Sequence, residues 1–223
     1  MQYFFTLAYG DENLIINLSH YKGGVGKTTL AINLAIALKA PILDLDGQQS
    51  SVLFNKLRKV KGSKPIDCFT AETEDELKDI FQQFTSPDKL LVVDSGGYDS
   101  NINRFAILAA DMLITPVAPS QVELFALQKY SSILSSISDT YGQPFKTNVV
   151  INNADIRSKA AIIQLKHFIQ TNNTYLDLFS TIIHCRSDYK RAYSEGSSVI
   201  ELDAHSKASF ELNQLVKEIK REL

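Results

Sequence analysis

The segment Lys22-Gly23-Gly24-Val25-Gly26-Lys27-Thr28-Thr29 lies between an apolar run, Leu14 to Leu18, and a run with helical character, Leu30 to Leu38. A strand that enters a glycine turn and leaves as a helix gathers unpaired backbone N–H groups and the positive end of a helix dipole at one point. Such a point is an anion site. Gly23, Gly24 and Gly26 let the main chain approach an anion closely. Lys27 stands where it reaches the β- and γ-phosphates of a nucleotide, and the Thr28 hydroxyl where it meets Mg²⁺. The ordinary pattern, G-x-x-x-x-G-K-[ST], also wants glycine at position 21. Here Tyr21 stands there, followed by a second lysine, Lys22. A turn that only joined a strand to a helix would need no Lys-Thr pair after its last glycine.

Apolar runs and helical spacing alternate along the chain. Strands are expected at Leu14 to His20, Pro41 to Leu45, Lys89 to Asp94, Asp111 to Val117, Lys146 to Ile151 and Leu178 to His184. Helices are expected at about Lys27 to Lys39, Thr73 to Phe84, Gln121 to Ser138, Ser158 to Thr171 and His205 to Leu223. This alternation predicts an α/β fold: a mostly parallel, twisted sheet with helices on both faces and ligand chemistry beyond the carboxyl ends of the strands. Met1 to Leu7 reads as a short edge strand or docked arm before a turn at Gly10-Asp11, too short for a helix-turn-helix unit. A single domain over 1–223, with 1–13 as its arm, is the expectation.

Carboxylates fall at the predicted strand ends. Period-two alternation puts Asp44 and Asp46 on one side of their strand, where they either serve one site or cap the following helix. Lys89 to Asp94 (KLLVVD) matches a Walker B strand, with Asp94 holding Mg²⁺ directly or through water. The glycine pair of Ser95-Gly96-Gly97-Tyr98-Asp99-Ser100 suits a loop that moves with a γ-phosphate.

With its leading lysine, KGGVGKTT resembles the deviant Walker A box of the ParA/MinD group of P-loop ATPases, which also takes in arsenite-pump ATPases and the nitrogenase iron protein. Asp44-Leu45-Asp46-Gly47-Gln48 is similar to the group's D-x-D-P-Q box, with Gly47 in place of proline. Arg186, Tyr189, Ala192, Gly196, Ser198, Val199 and Glu201 loosely follow its tail. The resemblance implies that ATP and Mg²⁺ are the cofactors and that Lys22 crosses a homodimer interface to the partner's nucleotide. It also implies that Lys27 and Thr28 act on the phosphates and metal, that Asp46 positions the attacking water, and that Asp44 supports the metal shell or its orientation. An asparagine at a strand end reads adenine in the group; Asn152 is the first choice and Asn153 the next, with plain turn asparagines as the alternative. Basic residues of the C-terminal third bind DNA non-specifically in relatives, and Lys190, Arg191, Lys217, Lys220 and Arg221 are the candidates.

By the same resemblance the chain is expected to be a small ParA-type ATPase of plasmid or chromosome segregation, released from DNA by a ParB-like partner. A MinD-like ATPase working on a membrane, or a regulatory module that hydrolyses little, are the competing readings. The C-terminal helix carries Leu212, Leu215, Val216, Ile219 and Leu223 on one stripe; this stripe lacks exposed aromatics beyond Phe210, so docking on the core is expected over membrane insertion.

Composition narrows the choice. With 223 residues, 44% of them hydrophobic, the chain is enough for one well-buried domain. A net charge of -2 gives no global basic field, so any nucleic-acid contact needs a local patch. The basic run in Asn55 to Pro65 (Lys56, Arg58, Lys59, Lys61, Lys64) reads as a solvated face or a phosphate-backbone contact. Cys68 and Cys185 match no metal spacing and read as reduced structural thiols of a cytoplasmic protein; nucleoid association is what the resemblance implies.

Overall fold

In the computed structural model, residues 14–84 and 89–223 are described. The expected N-terminal arm falls on 1–13, outside the described residues. The strands are β1 (Leu14–Leu18), β2 (Ile42–Asp44), β3 (Cys68–Thr70), β4 (Leu90–Asp94), β5 (Met112–Val117), β6 (Thr147–Ala154) and β7 (Leu176–His184). The helices are α1 (Lys27–Leu38), α2 (Ser50–Val60), α3 (Glu74–Gln82), α4 (Asn101–Ala109), α5 (Gln121–Tyr141), α6 (Lys159–Thr171), α7 (Ser187–Ser194), α8 (Val199–Leu202) and α9 (Lys207–Glu222).

The sheet has seven strands in the order β3-β2-β4-β1-β5-β6-β7, and every pairing is parallel. From β1 the chain steps past one position to β2, goes out to the edge strand β3 and returns to β4 beside β1, then crosses to β5 and builds outward on the other side. The strand order therefore reverses beside β1, where ligand crevices form in open parallel sheets.

Strand alternation assigns the helices to faces. Ile16 and Leu18 of β1 pack with Leu30 and Leu34 of α1 and with Leu212 and Leu215 of α9. Ile15, on the opposite side, packs with Leu77 and Phe81 of α3 and Phe105 of α4. Tyr130 and Leu134 of α5 join Leu113 on that same face, while Leu165 and Ile169 of α6 close over Val149 and Ile151. Leu212, Leu215, Val216 and Ile219 of the expected stripe are thus buried in the core while Leu223, past the end of α9, is exposed, and Glu218 of α9 accepts from the Ser180 N–H at 2.7 Å.

Five elements lay outside the expectation. β3 is only three residues long, α4 follows the loop after Asp94, α2 and α7 hold residues read as basic surface, and α8 is a single turn of four residues. Within α2, Arg58 corrects the reading of a solvated run. It is buried, donates to Lys64 O and Gly196 O at 3.0 and 2.8 Å, and forks onto Glu201. β6 also runs past its expected end, so Asn152 and Asn153 sit inside the strand, at a register shift between Ile151 and Ala154.

Candidate functional site

The turn between β1 and α1 is a cradle open at its centre. Gly24 and Gly26 take left-handed backbone angles, φ 79° and 96°, which a side chain would oppose. Gly26 is the N-cap of α1 and no side chain caps the helix, so its first N–H groups remain available to an anion. Lys27 is buried and its ammonium donates to the Lys22 carbonyl at 3.1 Å, closing the cradle from within. Burial lowers the Lys27 pKa, against the pull of Asp94 and Asp46. An anion in the cradle would offer this cation a stronger partner than a neutral carbonyl.

β2 and β4 pair so that Asp44 lies directly opposite Asp94. The two carboxylates have different occupations. Asp44 accepts from the N–H groups of Asp46, Ser51 and Val52 at 3.1, 2.9 and 3.3 Å, so it caps the start of α2. Asp94 is fully buried, and its Oδ2 accepts from the Ser51 hydroxyl at 2.9 Å. Its Oδ1 is buried with no hydrogen-bond partner. Burial, then the Asp44 charge, raises the Asp94 pKa to about 7, while the neighbouring Thr28 and Ser51 hydroxyls and Lys27 act the other way. A hard divalent cation fits this arrangement: an orphaned carboxylate oxygen beside the Thr28 hydroxyl, at the edge of a phosphate cradle. Asp44 is placed to act on such a cation through Ser51, and Asp46 lies near Lys27 with its Oδ1 accepting from the Gln48 N–H at 3.0 Å.

The loop after Asp94 lies on the cradle. A Cβ at Gly97 would stand 2.8 Å from the Gly23 nitrogen and 2.9 Å from its Cα, so only glycine lets these two backbones touch. Asn103 of α4 donates to the Tyr98 carbonyl at 2.7 Å, and Arg104 clasps Asp99 with two bonds of 2.7 Å.

Helix α5 holds the residues at the mouth of the turn. Lys129 lies over the Tyr21 ring, 4.2 Å from its centroid, and donates to its hydroxyl at 2.8 Å. Lys22 forms an ion pair with Glu123. The Lys22 N–H donates to Nδ1 of His20, a buried ring whose pKa is lowered to about 3 by desolvation and by Lys27 and Lys22.

Beside the cradle lies a cavity of about 290 Å³, walled by Gly24, Asn152, Asn153, His184, Arg186 and Tyr189 among others. Asn152 is buried and its amide donates to the Val25 carbonyl at 2.8 Å, tying β6 to the cradle. Asn153 is exposed, with φ 53°. Glu211 of α9 fixes the cavity's far wall: it accepts from the His184 N–H at 3.1 Å and pairs with Arg186.

The candidate DNA residues, Lys190 apart, lie away from this cavity. Lys190 and Arg191 sit exposed on α7, where Lys190 borders the cavity and Arg191 is 3.7 Å from Asp188. Lys217, Lys220 and Arg221 are exposed on α9. Gly97 belongs to the glycine pair that the sequence marks, whereas Ser51, Glu123 and Glu211 carry no such mark. Ser51 adjoins a recognisable box; the partners of Glu123 and Glu211 are distant in sequence.

Residues 16–199 match the family described as the CobQ/CobB/MinD/ParA nucleotide binding domain. "Maintenance of carboxysome distribution protein A" from Halothiobacillus neapolitanus is 23% identical over 209 residues, covering 91% of this chain and 94% of that protein. "Virulence plasmid ParA family protein pGP5-D" from Chlamydia psittaci is 25% identical over 261 residues, covering 91% and 93%. Among solved structures, an ATP complex of a Cyanothece McdA variant superposes with a TM-score of 0.73 at 19% identity, covering 96% of this chain and 97% of that one. That likeness is one of fold.

Proposed function

We propose, from the premise that the chain belongs to the CobQ/CobB/MinD/ParA nucleotide-binding family, that it is a partition-type ATPase whose ATP-bound form is a homodimer. In this reading the dimer binds DNA non-specifically and positions a plasmid or chromosome with a ParB-like partner, which stimulates a slow hydrolysis of ATP to ADP and phosphate. The observation that carries the proposal is the division of labour between the two lysines of one loop. Lys27 is buried inside the cradle, whereas the side chain of Lys22 is 37% exposed on the rim, turned onto α5 and away from its own cradle. A cation there serves its own phosphates poorly and a second copy's well.

The residues divide the chemistry. Gly23 to Thr29 hold the triphosphate through backbone N–H groups, Lys27 neutralises it, and Lys22 of the second subunit completes the charge balance. Thr28 and Asp94 would hold Mg²⁺, with Asp44 setting Asp94 through Ser51. The cation, when bound, neutralises charge developing on the phosphoryl oxygens. Asp46 orients the attacking water. The cavity by Asn152 and Asn153 takes the nucleoside.

Exposed Lys190, Arg191, Lys217, Lys220 and Arg221 supply the DNA contacts, in a chain whose overall charge is slightly negative. The plasmid relative in Chlamydia psittaci supports a replicon as cargo, and the carboxysome-distribution relative in Halothiobacillus neapolitanus supports the general class of intracellular positioning. The test is retention on non-specific DNA with ATP and Mg²⁺, which should fade steeply as salt rises. Absence of retention at low salt, with nucleotide bound, would refute the DNA reading; retention on anionic liposomes in its place would favour a membrane-working ATPase.

A further inference from the structure

The Lys22–Glu123 ion pair joins the loop to a helix 101 residues away within one subunit. The main chain of Lys22 is pinned on both sides: its N–H donates to His20 and its carbonyl accepts from Lys27. Only its side chain is free to change partners. Glu123 sits in the first turn of α5, its N–H donating to the capping Ser120 hydroxyl at 3.3 Å, with the positive end of the helix dipole behind it. Its side chain is only 14% exposed, and Oε2 is buried with no hydrogen-bond partner. Lys22 is therefore the one cation paired with this carboxylate among the described residues. On either side of Glu123 the same helix turns Val122 and Phe125, 63% and 61% exposed, toward solvent. The contact thus lies at an open face suited to a second copy.

We propose that Glu123 is a positioning residue that restrains Lys22 on its own subunit and so sets the nucleotide concentration at which two copies pair. This rests on the reading above, in which Lys22 serves the second copy's nucleotide. The ammonium has two competing sites, the cis carboxylate of Glu123 and the trans triphosphate. Moving from the first to the second strips a largely buried carboxylate of its cation, a cost that opposes pairing. Nucleotide binding works in the opposite sense twice: it presents a trans triphosphate, and it draws Lys27 off the Lys22 carbonyl, loosening the turn that aims Lys22 at Glu123. The latch keeps the free protein and the protein with little bound nucleotide from pairing through its exposed apolar face.

The experiment compares wild type, Glu123→Gln and Lys22→Ala by sedimentation while a non-hydrolysable ATP analogue is titrated with Mg²⁺. Glu123→Gln keeps shape and removes charge, and its pairing midpoint should fall about tenfold, equivalent to about 1.4 kcal/mol. Its thermal midpoint and its affinity for ADP as a monomer should match wild type, which a merely structural role for Glu123 would not allow. Lys22→Ala should remain monomeric. If Lys22→Ala pairs like wild type, the trans role of Lys22 is wrong and the proposed function loses its support. If Lys22→Ala stays monomeric while Glu123→Gln pairs at the wild-type midpoint or above it, the latch alone is overturned. Should Glu123→Gln prove unstable, Glu123→Asp, which shortens the reach to Lys22 and keeps the charge, should lower the midpoint by a smaller factor; an unchanged midpoint there would also overturn the latch.

Discussion

The hydroxyl of Ser51 donates to the carboxylate of Asp94 across 2.9 Å, joining the first turn of α2 to the end of β4. Ser51 is itself fixed by Asp44, which accepts its N–H. Asp94 has one oxygen satisfied by this hydroxyl and one left over, so Ser51 decides which oxygen faces a cation. Ser51→Ala should raise the Mg²⁺ concentration for half-maximal ATPase activity by about tenfold or more, the usual size of such outer-sphere effects. Nucleotide affinity without Mg²⁺ should be unchanged. A metal titration of ATPase activity, set against a metal-free nucleotide binding curve, checks both halves.

Gly97 touches Gly23, so the loop after Asp94 and the phosphate cradle are in backbone contact. A Cβ there meets rigid main chain, and no flexible side chain can step aside. Gly97→Ala should displace one loop from the other at a cost of roughly 1–3 kcal/mol, read as a loss of ATP affinity of about five-fold to about 150-fold. Gly62→Ala is the control for a glycine whose new Cβ meets nothing, though its own φ of 78° carries some strain. It should lose stability and keep affinity. Calorimetric binding on both variants separates the two effects.

The elements that sequence made legible are those whose signal is local. Leu14–Leu18, Leu90–Asp94 and Met112–Val117 are mostly apolar runs, and the glycines before Lys27 mark the start of α1 without further context. β3 has three residues and no run to detect. α2 was hidden because its basic residues cluster in its second half while its buried face is carried by Ser51, Phe54 and a buried Arg58. Nothing near Arg58 hints at burial, since Gly196 and Glu201 lie 138 and 143 residues away. The candidate site divides the same way. Lys22 to Thr29, Asp44, Asp46 and Asp94 could be named from short patterns, and the structure brings them to neighbouring strand ends. The contacts that Glu123 and Glu211 make could not, because those residues act on partners far off in the chain, and Ser51, though it adjoins the Asp44 box, reaches Asp94 43 residues away.

Asn152 and Asn153 are neighbours with separable expected effects. Asn152 spends its amide on the Val25 carbonyl, and a Cβ on Gly26 would come within 2.3 Å of that amide nitrogen. Asn152→Ala should therefore loosen the cradle and weaken ATP and GTP alike, by about 1 kcal/mol or roughly fivefold. Asn153 is exposed beside the cavity with no such duty, so Asn153→Ala should leave the cradle intact and narrow the preference of ATP over GTP. Competition between the two nucleotides for each variant gives the ratio directly. A changed ratio in Asn152→Ala and not in Asn153→Ala would reverse the assignment.

Asp94 makes a pH signature whose direction Asp44, its carboxyl also raised by burial, shares. In the folded chain its carboxyl keeps a proton up to a pKa of about 7, whereas its ordinary value is 3.8. Between about pH 4 and 7 the folded state therefore binds more protons than the unfolded state. Stability must fall as pH rises through that window, by at most roughly 1.4 kcal/mol per pH unit from this group. His20 acts in the reverse sense: its folded pKa of about 3 lies below the ordinary 6.5, so its contribution is lost as pH falls from 6.5 toward 3. The two overlap in wild type and are separated by comparison with Asp94→Asn, which retains His20 and has no proton to lose. The variant, free of metal and nucleotide, should match wild type near pH 4 and exceed its thermal midpoint at pH 8, because it removes a buried charge that Thr28, Ser51 and Lys27 offset only in part. Mg²⁺ with ATP should then raise the midpoint of wild type at pH 8 and leave that of Asp94→Asn nearly unmoved, since the cation needs the ionised carboxylate. Melting curves from pH 4 to 8 with and without Mg-ATP decide the matter. An Asp94→Asn chain less stable than wild type at pH 8 in the bare protein would show that the carboxylate is compensated by groups other than the cation.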